Sequence, residues 1–201
     1  MKHAVILAHP NPASFNAAVA DAYVKAVRAL GDQAVLRDLY ALNFEPRLGQ
    51  GEMPFGAAFQ PGPDVVAERK AIGDADVFVL VYPLWLNAPP AMMKGYLERV
   101  FGFGFAYGKD GNGSAPLLSG RKLVSFSSSG APFHWVQQTG AFEAVRTLFD
   151  RHLAAVCGMI VTDHVHFGGI VPGIRPDAVA RMLKDVARTA EKHFGKKDVI
   201  S

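Results

Sequence analysis

The chain is short of cysteine, of charge and of long apolar runs, and each shortage excludes something. One cysteine, Cys157, stands among 201 residues. A single thiol closes no internal disulfide, so a reducing, cytoplasmic compartment is the expectation, and its apolar neighbours read as the setting of a buried core thiol. Charged residues make up 19% of the chain and the net charge is +3. The basic residues are scattered apart from Lys196-Lys197, which argues against a nucleic-acid groove. The pI of about 9.0 gives only a mild preference for anionic ligands. No apolar stretch reaches the roughly 18 residues of a membrane span. The run after Lys2 is about five residues, too short for a signal-peptide core, and reads as a first strand. The GxGxxG turn of a Rossmann dinucleotide site is missing after that strand, and the chain has no GxSxG elbow that would suggest a Ser/His/Asp triad. His134, His152, His164 and His166 are scattered without a Cys or carboxylate cluster, so no metal site is expected, although His164 and His166 share one face of a strand.

What is present is a hydrophobic half, enough to bury the core of one domain over residues 1–201. Apolar strands alternate with helical segments. His3–Ala8, Gln33–Leu39, Asp76–Tyr82, Lys122–Ser127 and Met159–Phe167 read as strands. Helices are expected from Phe15 to Leu30, capped by Ser14 and Gly31; from Val65 to Ile72 after Asp64; and over Ala91–Phe101, Phe142–Val156 and Pro176–Phe194. Residues Tyr40 to Pro63 read as a long loop, which in a compact domain is usually functional or mobile. Five strands separated by helices imply a doubly wound parallel α/β sheet. Without the Rossmann turn, the flavodoxin-like order 2-1-3-4-5 remains, with ligands at the carboxyl ends of the strands between the first and third.

The loops at those ends are chemically unusual. HPNPASFN, His9 to Asn16, joins a strand to a helix start, where free N–H groups and the helix dipole favour an anion. An ordinary capped turn explains that segment alone equally well. After the third strand comes YPLWLNAPPAMMKGYLERVFGFGFAYG, whose aromatic, apolar and amide residues offer a flat wall with backbone donors, the combination a tricyclic redox ring needs. Taken singly, Trp85 and Leu86 read more readily as core. FSSSGAPFHW, Phe126 to Trp135, lets a flat ligand approach the backbone at its serines and Gly130. Together the three loops say more than any one, because they fall where the topology predicts.

These segments resemble the NAD(P)H:quinone oxidoreductase (DT-diaphorase) family of flavodoxin-like flavoenzymes. HPNPASFN is similar to its phosphate loop and the Tyr82–Gly108 stretch to its flavin loop. DVVAERKAIGDAD before the third strand and CGM at Cys157–Met159 are also similar. The resemblance implies that His9, Ser14, Phe15 and Asn16 hold the flavin's phosphate and ribityl region. It implies that Pro83, Leu84, Trp85, Leu86 and Asn87 line the ring, and that Ser127, Ser128, Ser129 and Gly130 hold its pyrimidine edge. Phe59-Gln60 and Arg181 stand where the family reaches an FAD adenosine, which favours FAD over FMN. Tyr107 would line the pocket where nicotinamide and quinone alternate. The family is typically a homodimer with active sites at the subunit interface. The chain departs from it at Asn87, Lys109 and SSSG. Where the family has a Tyr and a His that help the reduced flavin accept charge, alignment gives Trp135 and no histidine, with His134 next door. Trp has a donor but no proton to relay.

The resemblance thus implies an enzyme that takes two electrons from NAD(P)H and passes them, in a ping-pong cycle, to a quinone-like small molecule. The alternatives are a flavodoxin-like electron shuttle or regulatory flavoprotein, which calls for an acidic docking face, and a flavin-free receiver, which calls for clustered acids at strand ends. The mildly basic chain and its apolar loop fit the enzyme better.

Overall fold

The computed structural model describes residues 1–53, 59–110 and 113–196. Five parallel strands form one sheet: β1 (Lys2–Leu7), β2 (Gln33–Asp38), β3 (Val77–Pro83), β6 (Lys122–Ser128) and β7 (Ile160–Phe167), in the order β2-β1-β3-β6-β7. This is the expected 2-1-3-4-5 arrangement with a short antiparallel hairpin inserted, β4 (Tyr107–Asp110) and β5 (Gly113–Pro116). The hairpin strands lack the alternation that marks a strand in sequence. All seven residues of β3 are buried, as a central strand covered on both faces requires.

Helices α1 (Phe15–Ala29) and α7 (Pro176–Phe194) cover one face. Val19, Tyr23 and Val27 of α1 pack with Val5, Val79, Val81 and Phe126 of the sheet. Helices α2 (Pro63–Ile72) and α3 (Ala91–Val100) cover the other, where Tyr96 and Met93 meet Ile6, Phe78 and Leu80. Gly31 sits just past α1 with φ of 89°, the left-handed turn a glycine permits. Asp64 does not cap α2. Gly62 is the cap residue, Pro63 opens the helix, and the Asp64 carboxylate instead accepts hydrogen bonds from Arg99.

The helix expected from Phe142 to Val156 exists but is not uniform. A short helix α4 (Phe133–Gln138) precedes it, and the run consists of α5 (Ala141–Val145), a π-helical stretch (Arg146–His152) and α6 (Leu153–Cys157). The wider turn presents Asp150 to the sheet, 1% exposed. Opposite it, the pairing of β6 with β7 shifts by one residue: Leu123 faces Val161, but Val124 faces Asp163. The extra residue, Thr162, reverses the alternation of β7. Val161 packs on the α3 side, whereas beyond the bulge His164 and His166 take that side, beside Ser125 and Ser127, and Asp163 turns to His193 of α7.

Candidate active site

The carboxyl ends of β1, β3 and β6 open into one cleft of about 140 Å³. The loop after β1 contributes His9, and the start of α1 contributes Phe15 and Asn16; the end of β3 contributes Pro83, Leu84 and Trp85; the end of β6 contributes Ser128, Ser129 and Gly130. Ile170, after β7, completes the lining. Sequence reading missed it because the loop after β7 carries no motif.

Local bonds shape each loop. His9 Nδ1 accepts from the Asn11 N–H at 3.0 Å, and Asn11 Oδ1 accepts from Ala13 N–H at 2.9 Å. Burial pushes the His9 pKa below its ordinary value, so at neutral pH the ring is uncharged and free to accept. Ser14 caps α1, its Oγ accepting from Ala17 N–H at 3.1 Å. Asn16, 3% exposed, spans the cleft floor by donating from Nδ2 to Ser128 Oγ at 2.9 Å. The β3 loop is tied by Leu84 N–H to Ser128 C=O at 2.6 Å and by mutual bonds between Trp85 and Ala88. Between them Leu86 and Asn87 adopt left-handed φ of 51° and 59°. Asn tolerates that region, which gives the unusual Asn87 a conformational reason; a leucine there is strained, and backbone strain clusters at functional loops. Trp85 is 46% exposed and Leu86 fully so. Neither is core, contrary to what either residue suggests alone. The edge of the Trp85 ring meets His9, with centroids 5.8 Å apart.

A flavin needs apolar faces and donors around its polar edge and phosphate. Phe15 and Asn16 open α1, where first-turn N–H groups have no partner within the helix, and among the described residues the N–H groups of Leu86, Asn87, Gly130 and Ala131 make no backbone hydrogen bond. They sit on the three loops that surround the apolar wall of Phe15, Leu84 and Trp85. Two lie at the positive end of the α1 dipole, where a phosphate is favoured. The residues present therefore fit a flavin.

Other expected residues lie elsewhere. Ser127 is buried beneath the cleft, 1% exposed. Tyr107 lines a second, larger cleft of about 390 Å³ with Phe59, Phe103, Arg69, Leu148 and His152, on the α3 and α6 side. Gln60 is exposed, with its N–H bonded to Gly51 C=O. Arg181 is exposed on α7 and pairs with Asp177 at 2.6 Å. His134 and Trp135 are exposed on α4, outside the cleft lining. Among the described residues no three His, Cys, Asp or Glu side chains cluster as metal ligands, and no helix is long and apolar enough to cross a membrane.

A family model described as the flavodoxin-like fold matches residues 1–193. The chain belongs to the flavodoxin-like family. Among its relatives, it is similar to an uncharacterized NAD(P)H oxidoreductase of Haemophilus influenzae, 33% identical over 171 residues and 85% of each chain. Its structure is similar to the NAD(P)H:quinone oxidoreductase of Methanothermobacter marburgensis, with a TM-score of 0.76 at 27% identity over 98% of both chains. It is also similar to general stress protein 14 of Treponema denticola, solved in complex with FMN, with a TM-score of 0.63 at 25% identity over 96% of this chain and 95% of that one. The flavodoxin-like cleft at the strand ends is thus the place where residue chemistry and family topology coincide.

Proposed function

We propose that the protein is a flavin-dependent NAD(P)H oxidoreductase that passes two electrons to quinone-like acceptors. The observation that carries the reading is the ring of unpaired backbone N–H groups around an apolar wall at the ends of β1, β3 and β6. The flavin supplies the redox chemistry when bound. The protein holds and orients it. Phe15 and Asn16 N–H groups receive its phosphate; Leu84, Trp85 and Phe15 exclude water from its faces; Leu86, Asn87, Gly130 and Ala131 donate to its polar edge. Those donors are fixed in place before charge develops, which is where preorganised hydrogen bonds act most strongly.

FMN suits the geometry better than FAD. Phe59 lines the second cleft, and Arg181 is engaged by Asp177, so neither is poised for an adenosine at this cleft. The FMN-bound relative favours the same choice. The placement of Tyr107 away from the cleft fits a homodimer in which a second copy supplies its tyrosine to this site. The protein as isolated should be yellow. Heat should release one flavin per chain that chromatographs as FMN, and NADH or NADPH should bleach it in a stopped-flow mixer. A colourless protein that takes up no added flavin overturns the reading, as does a bound flavin that neither nicotinamide reduces.

A further inference from the structure

Beneath the cleft lies a chain of hydrogen bonds that no step above uses. Asp150, on the π-helical stretch, accepts from Ser125 Oγ at 2.7 Å and meets His164 Nδ1 at 2.6 Å. His164 Nε2 lies 2.7 Å from Ser127 Oγ, which lies 2.8 Å from His166 Nδ1. His166 Nε2 lies 2.9 Å from Ser129 Oγ, which donates to Ala131 C=O at 2.8 Å. Ser125, Ser127 and Ser129 share one face of β6 and its extension, and the β7 bulge brings both imidazoles to it. Asp150, His164 and Ser127 have the order of a hydrolytic triad. Ser127, at 1% exposed, cannot reach an external carbonyl, so nucleophilic chemistry is excluded. Ser129, at the other end, lines the cleft.

Counting hydrogens shows what the chain does. With Asp150 ionised and His164 neutral, the His164 Nδ1–H goes to the carboxylate. Ser127 O–H then points to His164 Nε2, His166 Nδ1–H points to Ser127, and Ser129 O–H points to His166 Nε2. The contact from Ser129 to Ala131 is left without a proton. Adding one proton at His164 Nε2 leaves its Nδ1–H on Asp150 and reverses the next three bonds: His164 Nε2–H to Ser127, Ser127 O–H to His166 Nδ1, and His166 Nε2–H to Ser129, which frees Ser129 O–H to donate to Ala131 C=O. All five contacts between Asp150 and Ala131 then have a donor, and all five are short. The two states differ by one proton, and hopping along the chain interconverts them when one proton enters or leaves at the Ser129 end, with no bond made or broken except to hydrogen.

We propose that Asp150, His164, Ser127, His166 and Ser129 form a proton wire, with the Asp150–His164 pair as its inner store and the Ser129 hydroxyl as its outlet into the cleft. When a basic atom appears against Ser129, the outlet proton passes to it. His166 gives its Nε2 proton to Ser129, Ser127 gives its proton to His166 Nδ1, and His164 gives its Nε2 proton to Ser127. Reoxidation of the bound group returns the proton by the same route. The identity of that group rests on the flavin reading; the wire itself does not. His166 suits a relay because burial and the neighbouring His164 hold its pKa at about 4, so it transmits a proton without retaining one. The other groups facing the pair are few. Tyr82 of β3 packs its ring edge on His164 at 6.4 Å, and burial and the nearby Asp150 push its pKa far up, so it keeps its proton. Phe142, from α5, offers His164 only a ring edge.

Nitrogen-15 NMR of the histidines in the protein as isolated tests the wire directly. As the pH is lowered, His166 should exchange the Nδ1–H tautomer for Nε2–H, and Ser127→Ala should abolish the exchange. In single turnovers of the flavin-loaded protein, Ser127→Ala should slow the proton-linked step by about a hundredfold or more and erase its solvent isotope effect. Ser127→Thr, which keeps the hydroxyl, should restore both. Ser129→Ala repeats the test at the outlet. A single His166 tautomer at every pH at which the protein stays folded overturns the wire, as does a Ser127→Ala rate and isotope effect equal to wild type. Loss of flavin in the wild type speaks against the cofactor alone, because the NMR arm does not need it.

Discussion

The cleft is held in shape by single contacts whose removal is measurable. Asn16→Ala leaves the 3%-exposed Ser128 hydroxyl facing a void. A buried polar group without its partner costs about 1–3 kcal/mol, so urea unfolding should show a loss of that size. Unchanged stability would mean the Asn16–Ser128 bridge is not part of the fold's support. The place of Asn16 in the cleft was legible because it follows a strand end and opens a helix. Trp85 was legible for the same reason, since its side chain alone points to the core and only its place after β3 points to a ligand. Asp150 was not legible. It lies 25 residues from Ser125 and 14 from His164, in a helix whose apolar spacing is ordinary. His164 and His166 could be seen to share a face, but not to share it with Ser125 and Ser127.

At the scale of elements, the sequence located all five strands of the main sheet to within a residue or two; the central strands β1 and β3 stood out as the continuous apolar runs that burial on both faces requires. It missed the β4–β5 hairpin and the π-helical winding, which share their residue pattern with loops and α-helices. It also read Tyr40 to Pro63, before α2, only as a long loop of a functional or mobile kind. That loop carries a 3-10 turn, Gln50–Glu52, pinned to the rest by Arg99 of α3. Arg99 is 5% exposed along its side chain and donates to both Glu52 oxygens and to Asp64. Burial alone would raise the Glu52 carboxyl, but Arg99 and the N–H groups of Gly49 and Gly62 outweigh it and hold its pKa at about 2. Arg99→Met strands Glu52 as a buried charge and should cost about 3–5 kcal/mol. Arg99→Met together with Glu52→Gln should recover much of that in chemical denaturation, since the penalty is the orphaned charge.

The whole molecule carries its pH response in buried imidazoles. Burial lowers the pKa values of His3, His9 and His166 below the ordinary 6.5. A depressed folded pKa means the unfolded chain binds the proton first, so the contribution is full above pH 6.5 and is lost as pH falls toward the folded values. For His166, at about 4, the loss by the bottom of that window is roughly 3 kcal/mol. Denaturant midpoints should therefore decline as pH falls from 6.5 toward 4, and His166→Gln should flatten that decline. Behind this behaviour is an odd–even rule. In β7, odd-numbered Val161 faces α3 before the bulge, and even-numbered His164 and His166 face that way after it. Thr162 is where the parity changes, and parity acts as an address that sends histidines to one side of the sheet and Asp163 to the other. A natural relative lacking this residue would run β7 as a plain strand and still deliver its histidines correctly. One that kept the residue but paired regularly would swap the addresses, placing a second carboxylate beside Asp150 and leaving the serines with no imidazole to meet.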